Sequence, residues 1–306
     1  MTINPQPNTV RDYLNALTAA LRAEKCPPGL IVDALNDCEE HLRNEIAQNP
    51  GVPEAEVLAS VVETYGTPAE IAEEYKSMEA SLTSGPFPTS DVPQDEQRPF
   101  GFFNVLSDPR TYGALIYMLL SLATGIFYFT WTVVGISLSL SFAILIIGIP
   151  FALLFIGSVR VLAHVEGRIV EALLGVRMPR KLPPPANTGN DGILARIKDA
   201  LTDARTWSSM FYLLLMLPLG VVYFVLAVVG LACSIGIAGG AIGGLVTGHV
   251  NIQMDDAPYL QHFLQTAPGL FVAAVIGLLL FFVVLHIARG VGRLHARIAE
   301  GLLVRL

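Results

Sequence analysis

The residues of this chain that could do chemistry are few and widely separated. His286 lies inside the last long apolar segment, and His164 and Glu166 are two residues apart, a spacing that does not put them on one helix face. The three cysteines form no CxxC pair, and no HExxH, GxSxG, P-loop or GxGxxG motif occurs. We therefore expect no enzyme activity, no bound cofactor and no metal site.

Charged pairs stand immediately before two long apolar segments. Asp108 and Arg110 precede the first, and Asp203 and Arg205 precede the second. The negative charge of an aspartate at a helix start is stabilised by the helix dipole, and an arginine there can reach the lipid head groups. These four residues are predicted to anchor helices at the membrane surface, and the alternative is a role in signal coupling.

Arginines also follow the apolar segments, in two stretches whose apolar residues recur at helical spacing. Arg160 and Arg168 lie in the first stretch, and Arg289 and Arg297 lie in the second. A helix with one apolar face and one arginine-bearing face is typical of the membrane interface, where it meets anionic lipid heads. The alternative is that these helices transmit a membrane event to a partner.

Glycines recur every four residues in the second half of the chain, at Gly236, Gly240, Gly244 and Gly248. Small residues at this spacing allow helices to approach closely within a membrane. The pattern, a glycine zipper, predicts tight helix packing or dimerisation into a homo-oligomer. A pore or a ligand pocket is the alternative.

Composition separates an acidic head from a membrane-like remainder. The 306 residues are 53% hydrophobic and only 15% charged, whereas soluble domains carry roughly 25% charged residues. Residues 1–97 hold 17 acidic and 5 basic side chains, and residues 98–306 hold 9 acidic and 14 basic ones. The first third is therefore predicted to be a soluble acidic module, whose sign argues against direct nucleic-acid binding, and the rest to be a membrane domain.

Two stretches, 111–159 and 206–254, contain no Asp, Glu, Lys or Arg. Because one crossing takes about 20 apolar residues, we predict an all-α fold with four crossings. The predicted crossings cover residues 112–134 and 139–161 in the first stretch, 207–231 in the second, and 268–288 in a further apolar segment after it. Gly135 to Ser139 are predicted to form a tight turn, and 232–250 is predicted to be an extension of the third crossing or a re-entrant segment.

The membrane part contains an internal repeat. Residues 107–139 align with 202–234 at 14 identical positions, and residues 160–174 align with 289–303. Because each copy is a helical hairpin with two crossings, both copies have the same orientation. The repeats are therefore predicted to be parallel, related by an axis along the membrane normal.

Basic residues indicate which side of the membrane faces the cytoplasm. The segment 164–206 and the tail after Ala288 carry most of the arginines and lysines of the membrane part, whereas 135–139 and 249–268 carry none. Both termini and the middle segment are therefore predicted to be cytoplasmic.

Residues 9–80 show the pattern of four short amphipathic helices. Apolar residues recur at helical spacing in three segments, 10–23, 30–48 and 53–65. The face of the second helix opposite its apolar stripe is acidic and includes Asp33. Thr67, Pro68 and Glu70 form a capping box that starts a fourth helix.

Two parts of the chain resemble known families. The run YGTPAEIAEEY from Tyr65 to Tyr75, together with the acidic stretch 37–41, resembles the HAAS domain, a helical signalling module associated with helix-turn-helix regulators. Several further pieces resemble the "Putative sensor" transmembrane domain of actinobacterial proteins, namely residues 148–150, 160–174, 203–207, 217–220 and 289–303. The resemblance implies a PadR-like transcription regulator as partner and the inner membrane of a bacterium as location. Because no kinase core follows, output by autophosphorylation is not expected.

We therefore interpret the chain as an integral membrane sensor that relays a membrane-associated stimulus to a cytoplasmic partner. Its predicted partners are membrane lipid and a transcription regulator, and the alternatives are a transporter or channel subunit, or an accessory protein that assembles a membrane complex. The predicted parts are an acidic cytoplasmic helical domain (1–80), a flexible linker (81–106), a first hairpin repeat with its juxtamembrane helix (107–180), a cytoplasmic linker (181–201) and a second hairpin repeat with a Gly-rich insertion and a C-terminal amphipathic helix (202–306).

Overall fold

The computed structural model describes five ranges of the chain, 9–83, 102–142, 148–180, 202–248 and 258–304. Nine α-helices follow one another in these ranges: α1 Val10–Ala23, α2 Pro28–Gln48, α3 Glu54–Tyr65, α4 Pro68–Thr83, α5 Pro109–Phe142, α6 Gly148–Leu174, α7 Ala204–Thr247, α8 Pro258–Leu264 and α9 Ala267–Leu303. A short 3-10 helix, Phe102–Ser107, precedes α5. The prediction of an all-α fold is confirmed.

The chain forms two compact units. The first contains Met1–Glu96, Ser137–Tyr212 and Arg297–Leu306, and the second contains Gln97–Ile136 and Leu213–Ala296. Helices α5, α7 and α9 each contribute residues to both units. The five predicted domains stay a prediction.

Helices α1 and α4 begin at residues whose side chains accept free backbone N–H groups. Thr9 caps α1, because its side chain accepts the N–H of Asp12 at 3.1 Å. At the start of α4, Thr67 Oγ1 accepts the Glu70 N–H at 3.4 Å and Glu70 Oε2 accepts the Thr67 N–H at 2.8 Å. These reciprocal bonds confirm the predicted capping box.

The four N-terminal helices bury two apolar clusters. The first includes Leu17, Leu21, Leu30, Ile31, Ala34 and Ala72. The second contains Tyr13, Leu42, Leu58 and Val61. Fully burying one large apolar side chain contributes about 1.5–3 kcal/mol, so this packing, rather than intrinsic propensity, holds such short helices together.

Helices α5, α7 and α9 are long and apolar enough to cross a membrane. They comprise 34, 44 and 37 residues, whereas a crossing takes about 20. Large apolar side chains such as Phe211 and Phe271 are more than half exposed on these helices, at 57% and 64%. An apolar surface of this kind requires lipid around it, and the chain is therefore a membrane protein.

The tight turn predicted at Gly135 to Ser139 is wrong, because α5 continues through these residues to Phe142. Gly135 is buried within the helix, and the Ser141 hydroxyl donates to the Ser137 carbonyl at 2.8 Å. In lipid a continuous helix satisfies its own backbone groups, which a turn would leave unpaired. The predicted second crossing includes residues 143–147, which lie outside the described residues, so four crossings stay a prediction.

The Gly-rich segment that follows the third predicted crossing continues α7 without a break to Thr247. Of the two alternatives predicted for residues 232–250, an extension therefore describes the part up to Thr247. At 1.5 Å per residue α7 is about 66 Å long, roughly twice the thickness of the hydrocarbon core. An upright helix of this length extends well beyond the lipid tails.

Candidate functional site

Arg177 is the centre of a buried ionic cluster in the first unit, with only 5% of its surface exposed. Its Nη2 donates to Asp33 Oδ2 at 3.0 Å, and its Nε donates to Glu79 Oε1 at 2.9 Å. Its Nη1 donates to the Met178 carbonyl at 2.6 Å and lies 3.8 Å from Glu171 Oε1. One guanidinium group thus joins α2, α4 and the end of α6.

The course of the chain after α6 brings Arg177 against α2. Gly175 has a φ of +73°, which glycine adopts without strain, and its N–H donates to the Glu171 carbonyl at 3.0 Å. This glycine ends α6 and directs residues 176–180 along α2. A Cβ atom at Gly29 of α2 would lie 2.5 Å from the Arg177 carbonyl oxygen, so the approach depends on glycine at that position.

Asp33 accepts hydrogen bonds from both a side chain and the backbone. Besides the Arg177 guanidinium, it accepts the backbone N–H of Arg180, which lies 2.8 Å from Oδ1 and 3.0 Å from Oδ2. Asp33 is only 6% exposed. Bonds from a guanidinium and from a backbone N–H replace the water that this carboxylate loses on burial.

The charges of the cluster are balanced. Glu171, one of three carboxylates around Arg177, also meets Arg168 Nη1 at 2.6 Å from its Oε2 and Arg180 Nη2 at 3.7 Å from its Oε1. Removing one partner of a buried ion pair costs about 3–5 kcal/mol, because the remaining charge stays buried without compensation. The arrangement therefore holds these helices together.

The sequence interpretation missed this cluster. It assigned Asp33 to an acidic face opposite the apolar stripe of the second helix, whereas the structure buries Asp33 together with its neighbours from Gly29 to Ala34. This assignment is wrong because the segment 176–180 covers that side of α2 as well. A run of apolar residues interrupted by one acid was the available signal, since it is typical of a helix buried all round with a paired carboxylate.

The structure pairs four of the predicted membrane-boundary residues. Arg160 Nη2 lies 3.0 Å from Asp203 Oδ2 in the first unit, and Arg289 Nη2 lies 3.4 Å from Asp108 Oδ2 in the second. Arg160 also donates to Thr206 Oγ1 at 3.1 Å. Each aspartate in addition accepts the backbone N–H of the arginine two residues after it, at 3.1 and 3.0 Å, as a helix-capping residue does.

The remaining predicted anchor residues are placed differently. Arg168 belongs to the ionic cluster through Glu171. Arg110, Arg205 and Arg297 are exposed. Lipid anchoring by these residues stays a prediction.

Each unit also contains a buried tyrosine that is bonded to a titratable side chain. The Tyr212 hydroxyl donates to Glu166 Oε1 at 3.3 Å in the first unit, and the Tyr117 hydroxyl is hydrogen-bonded to His295 Nε2 in the second. All four side chains are fully or almost fully buried. Over the described residues, no three His, Cys, Asp or Glu side chains lie close enough to hold a metal ion.

Three of the four zipper glycines face open space, whereas Gly244 is buried. Among the described residues, nothing beyond the local helix lies within 4 Å of a Cβ atom built at Gly236, Gly240 or Gly248. At these three positions the described residues therefore provide no tight packing. Dimerisation through them stays a prediction.

Close helix packing in the second unit occurs at other glycines, among them Gly125 and Gly220. A Cβ atom at Gly125 of α5 would lie 2.6 Å from the Met216 carbonyl oxygen of α7. A Cβ atom at Gly220 of α7 would lie 2.3 Å from the Ser121 carbonyl oxygen of α5. The backbones of α5 and α7 are thus in direct contact, as small residues in membrane helices allow.

Comparison with known protein families accounts for most of the chain. The family model for HAAS matches residues 12–74, which lie in α1 to α4. The family model described as "Putative sensor" matches residues 117–303, more than half of the chain, from α5 to the end of α9. No curated protein and no solved structure matches the chain.

Proposed function

Because the chain belongs to the "Putative sensor" family and carries a HAAS domain before its sensor domain, we propose that it is a membrane sensor without enzymatic activity. It relays a stimulus at or in the bilayer to a cytoplasmic transcription regulator of the PadR type. The observation that carries this proposal is the buried Arg177 cluster, which ties α2 and α4 of the HAAS domain to the end of α6 in the sensor domain.

The cluster is suited to transmitting movement because it is costly to break. Its central guanidinium is 95% withdrawn from solvent and contacts carboxylates from three helices. Losing a single buried partner costs about 3–5 kcal/mol, which exceeds the energy of most surface contacts. A shift of α6 in the bilayer would therefore carry the HAAS domain with it rather than detach from it.

Four crossings with both termini in the cytoplasm are consistent with the contacts of the first unit. The contact of the HAAS domain with Arg177 supports placing the two on one side of the bilayer, with an even number of crossings in the chain between them. The Ser208 hydroxyl near the start of α7 donates to the Leu302 carbonyl near the end of α9 at 2.6 Å. This bond supports placing the start of α7 and the end of α9 on one side of the bilayer, again with an even number of crossings between them. The arginines near these ends support a cytoplasmic location for that side.

Equivalent contacts support an origin of the sensor domain from two hairpin copies. Arg160 of the first copy pairs with Asp203 of the second, and Arg289 of the second pairs with Asp108 of the first. The two tyrosine bonds are exchanged in the same way, because Tyr212 of the second copy bonds Glu166 of the first and Tyr117 of the first copy bonds His295 of the second. In the alignment of the copies Tyr117 corresponds to Tyr212, and Glu166 corresponds to His295. Contacts exchanged in this way are those that a duplicated hairpin would make.

Transcript profiling of host cells tests the proposed function. We expect deletion of the gene to change a defined set of transcripts, and Arg177→Ala at matched membrane levels to reproduce that change. Arg43→Ala is the control, because its ion pair with Glu39 is largely exposed and should not matter. A deletion without transcriptional effect, or solute flux in vesicles that contain only this protein, would contradict the proposal.

A tag-accessibility experiment tests the topology. Tags placed before Thr9 and after Leu306 should both be protected in intact cells and both become accessible after the membrane is opened. If only one of the two tags is protected, the number of crossings is odd and the proposed topology is wrong.

A further inference from the structure

A cavity of about 300 Å³ opens among helices α1 to α4 of the HAAS domain. Its apolar lining includes Tyr13, Leu42 and Val61, which also form one of the two core clusters. The size is at the lower end of the range for ligand pockets, enough for one or two large side chains. The ionic cluster at Arg177 shares none of the residues that line this cavity.

Aromatic side chains surround the cavity. Tyr65 is 52% exposed, and its ring meets the His41 ring edge-on at a centroid distance of 4.4 Å. The Tyr75 hydroxyl donates to Asp37 Oδ2 at 3.3 Å, which ties α4 to α2 beside the cavity. Aromatic faces of this kind attract cations as well as apolar groups.

The charge around the cavity is negative. Asp37 and Glu74 line it, and among the described lining residues there is no Lys or Arg. The surrounding residues 1–97 carry a large acidic excess. A cationic group is therefore favoured in this cavity, and an anionic lipid or nucleic acid is disfavoured.

The cavity has no activated thiol, although Cys38 lines it. Burial raises the pKa of the Cys38 thiol to about 11, with a smaller contribution from the nearby Asp37 charge. The thiol is thus protonated at neutral pH, and it contributes apolar surface rather than a nucleophile.

We propose that this cavity is the docking site for a basic amphipathic helix of the cytoplasmic partner. One arginine or lysine side chain of that helix enters the cavity, with its stem against the aromatic rings and its charged head near Asp37 and Glu74. This inference rests on the proposed function, because it names the surface through which the HAAS domain meets its regulator. A cationic side chain that enters an acidic pocket lined by aromatic rings combines cation–π attraction with charge complementarity.

Peptide binding to the full-length protein in nanodiscs tests the inference. The probes are two 15-residue Ala/Leu-rich helical peptides that differ only at the central residue, which is arginine in one and the neutral isostere citrulline in the other. We expect the arginine peptide to bind at least about five-fold more tightly, as a cation near tyrosine faces and carboxylates would. Glu74→Gln and Tyr65→Leu should each weaken the arginine peptide by about three- to five-fold.

Glu56→Gln is the matched control, because it removes the same charge from an exposed residue that does not line the cavity. It should leave the affinity of the arginine peptide unchanged. Glu74 and Tyr65 are both exposed, so circular dichroism should find all three variants folded.

Equal binding of both peptides, no binding of either, or equal effects of Glu74→Gln and Glu56→Gln would each overturn the inference. Such a result leaves the proposed function standing, because the transcript profile of the Arg177 variant does not depend on the cavity. Conversely, selective arginine binding without any transcriptional role would contradict the proposed function alone.

Discussion

Arg177→Ala should release the HAAS domain from the end of α6. The substitution removes a guanidinium that is 5% exposed and that contacts Asp33, Glu79 and Glu171 within 3.0, 2.9 and 3.8 Å. Loss of one partner from a buried ion pair costs about 3–5 kcal/mol. At 1.4 kcal/mol per factor of ten, the docked state should become about 100- to 5,000-fold less favoured.

Hydrogen exchange at the backbone amide of Arg180 reports this opening directly, because that N–H donates to Asp33 in the docked state. We expect its exchange in nanodiscs to accelerate by about two orders of magnitude or more, limited only by the intrinsic rate of an exposed amide. The amides in the middle of α5 should keep their protection, since they belong to the second unit.

Two further variants make the measurement specific. Arg43→Ala removes an arginine whose side chain is 59% exposed, so it should change exchange at Arg180 by less than about five-fold. Asp33→Asn should open the site as Arg177→Ala does, and the double variant should cost less than the sum of both. If Arg177→Ala leaves exchange at Arg180 within about two-fold of the wild type, the cluster does not hold the HAAS domain and the reasoning fails.

Two more outcomes follow from local geometry. Bonds from the Thr67 N–H and hydroxyl lower the pKa of Glu70, so its contribution to stability is complete above the ordinary glutamate pKa of about 4.3 and is lost as the pH falls through the lowered folded value. Glu70→Gln should remove this part of the acid sensitivity in thermal unfolding followed by circular dichroism, and an unchanged pH profile would refute the assignment. Gly220→Ala should lower the unfolding temperature in detergent by several degrees because its Cβ would lie 2.3 Å from the Ser121 carbonyl oxygen, whereas Gly236→Ala meets open space and should be neutral. Equal effects of the two glycine variants would contradict the packing of α5 against α7.

Local features of the sequence predicted local features of the structure. The apolar spacing over residues 10–23 predicted α1 with its observed bounds, and Thr67 and Glu70 predicted the start of α4. These features depend on residues at most four positions apart, so a short stretch of chain contains all the information. The turn predicted at Gly135 to Ser139 failed because glycine in lipid serves helix packing as readily as it serves a turn.

The pairing of distant residues could not be read from the chain. Arg160 was predicted to face lipid heads, yet its partner is Asp203, and the partner of Arg177 is Asp33, 144 positions away. Many carboxylates have the right charge for either arginine. Only the packing of particular helices decides which of them comes within bonding distance.

The sequence by itself determined that the chain enters a membrane and that an acidic helical domain precedes the membrane part. Long uncharged stretches and short-range periodicity suffice for this, because charged side chains are costly in lipid and their absence is visible in the order of residues itself. The tertiary structure alone decided that Arg177 unites α2, α4 and α6, since the energy of a buried ion pair exists only once the backbone around Gly29 and Gly175 has brought its members together.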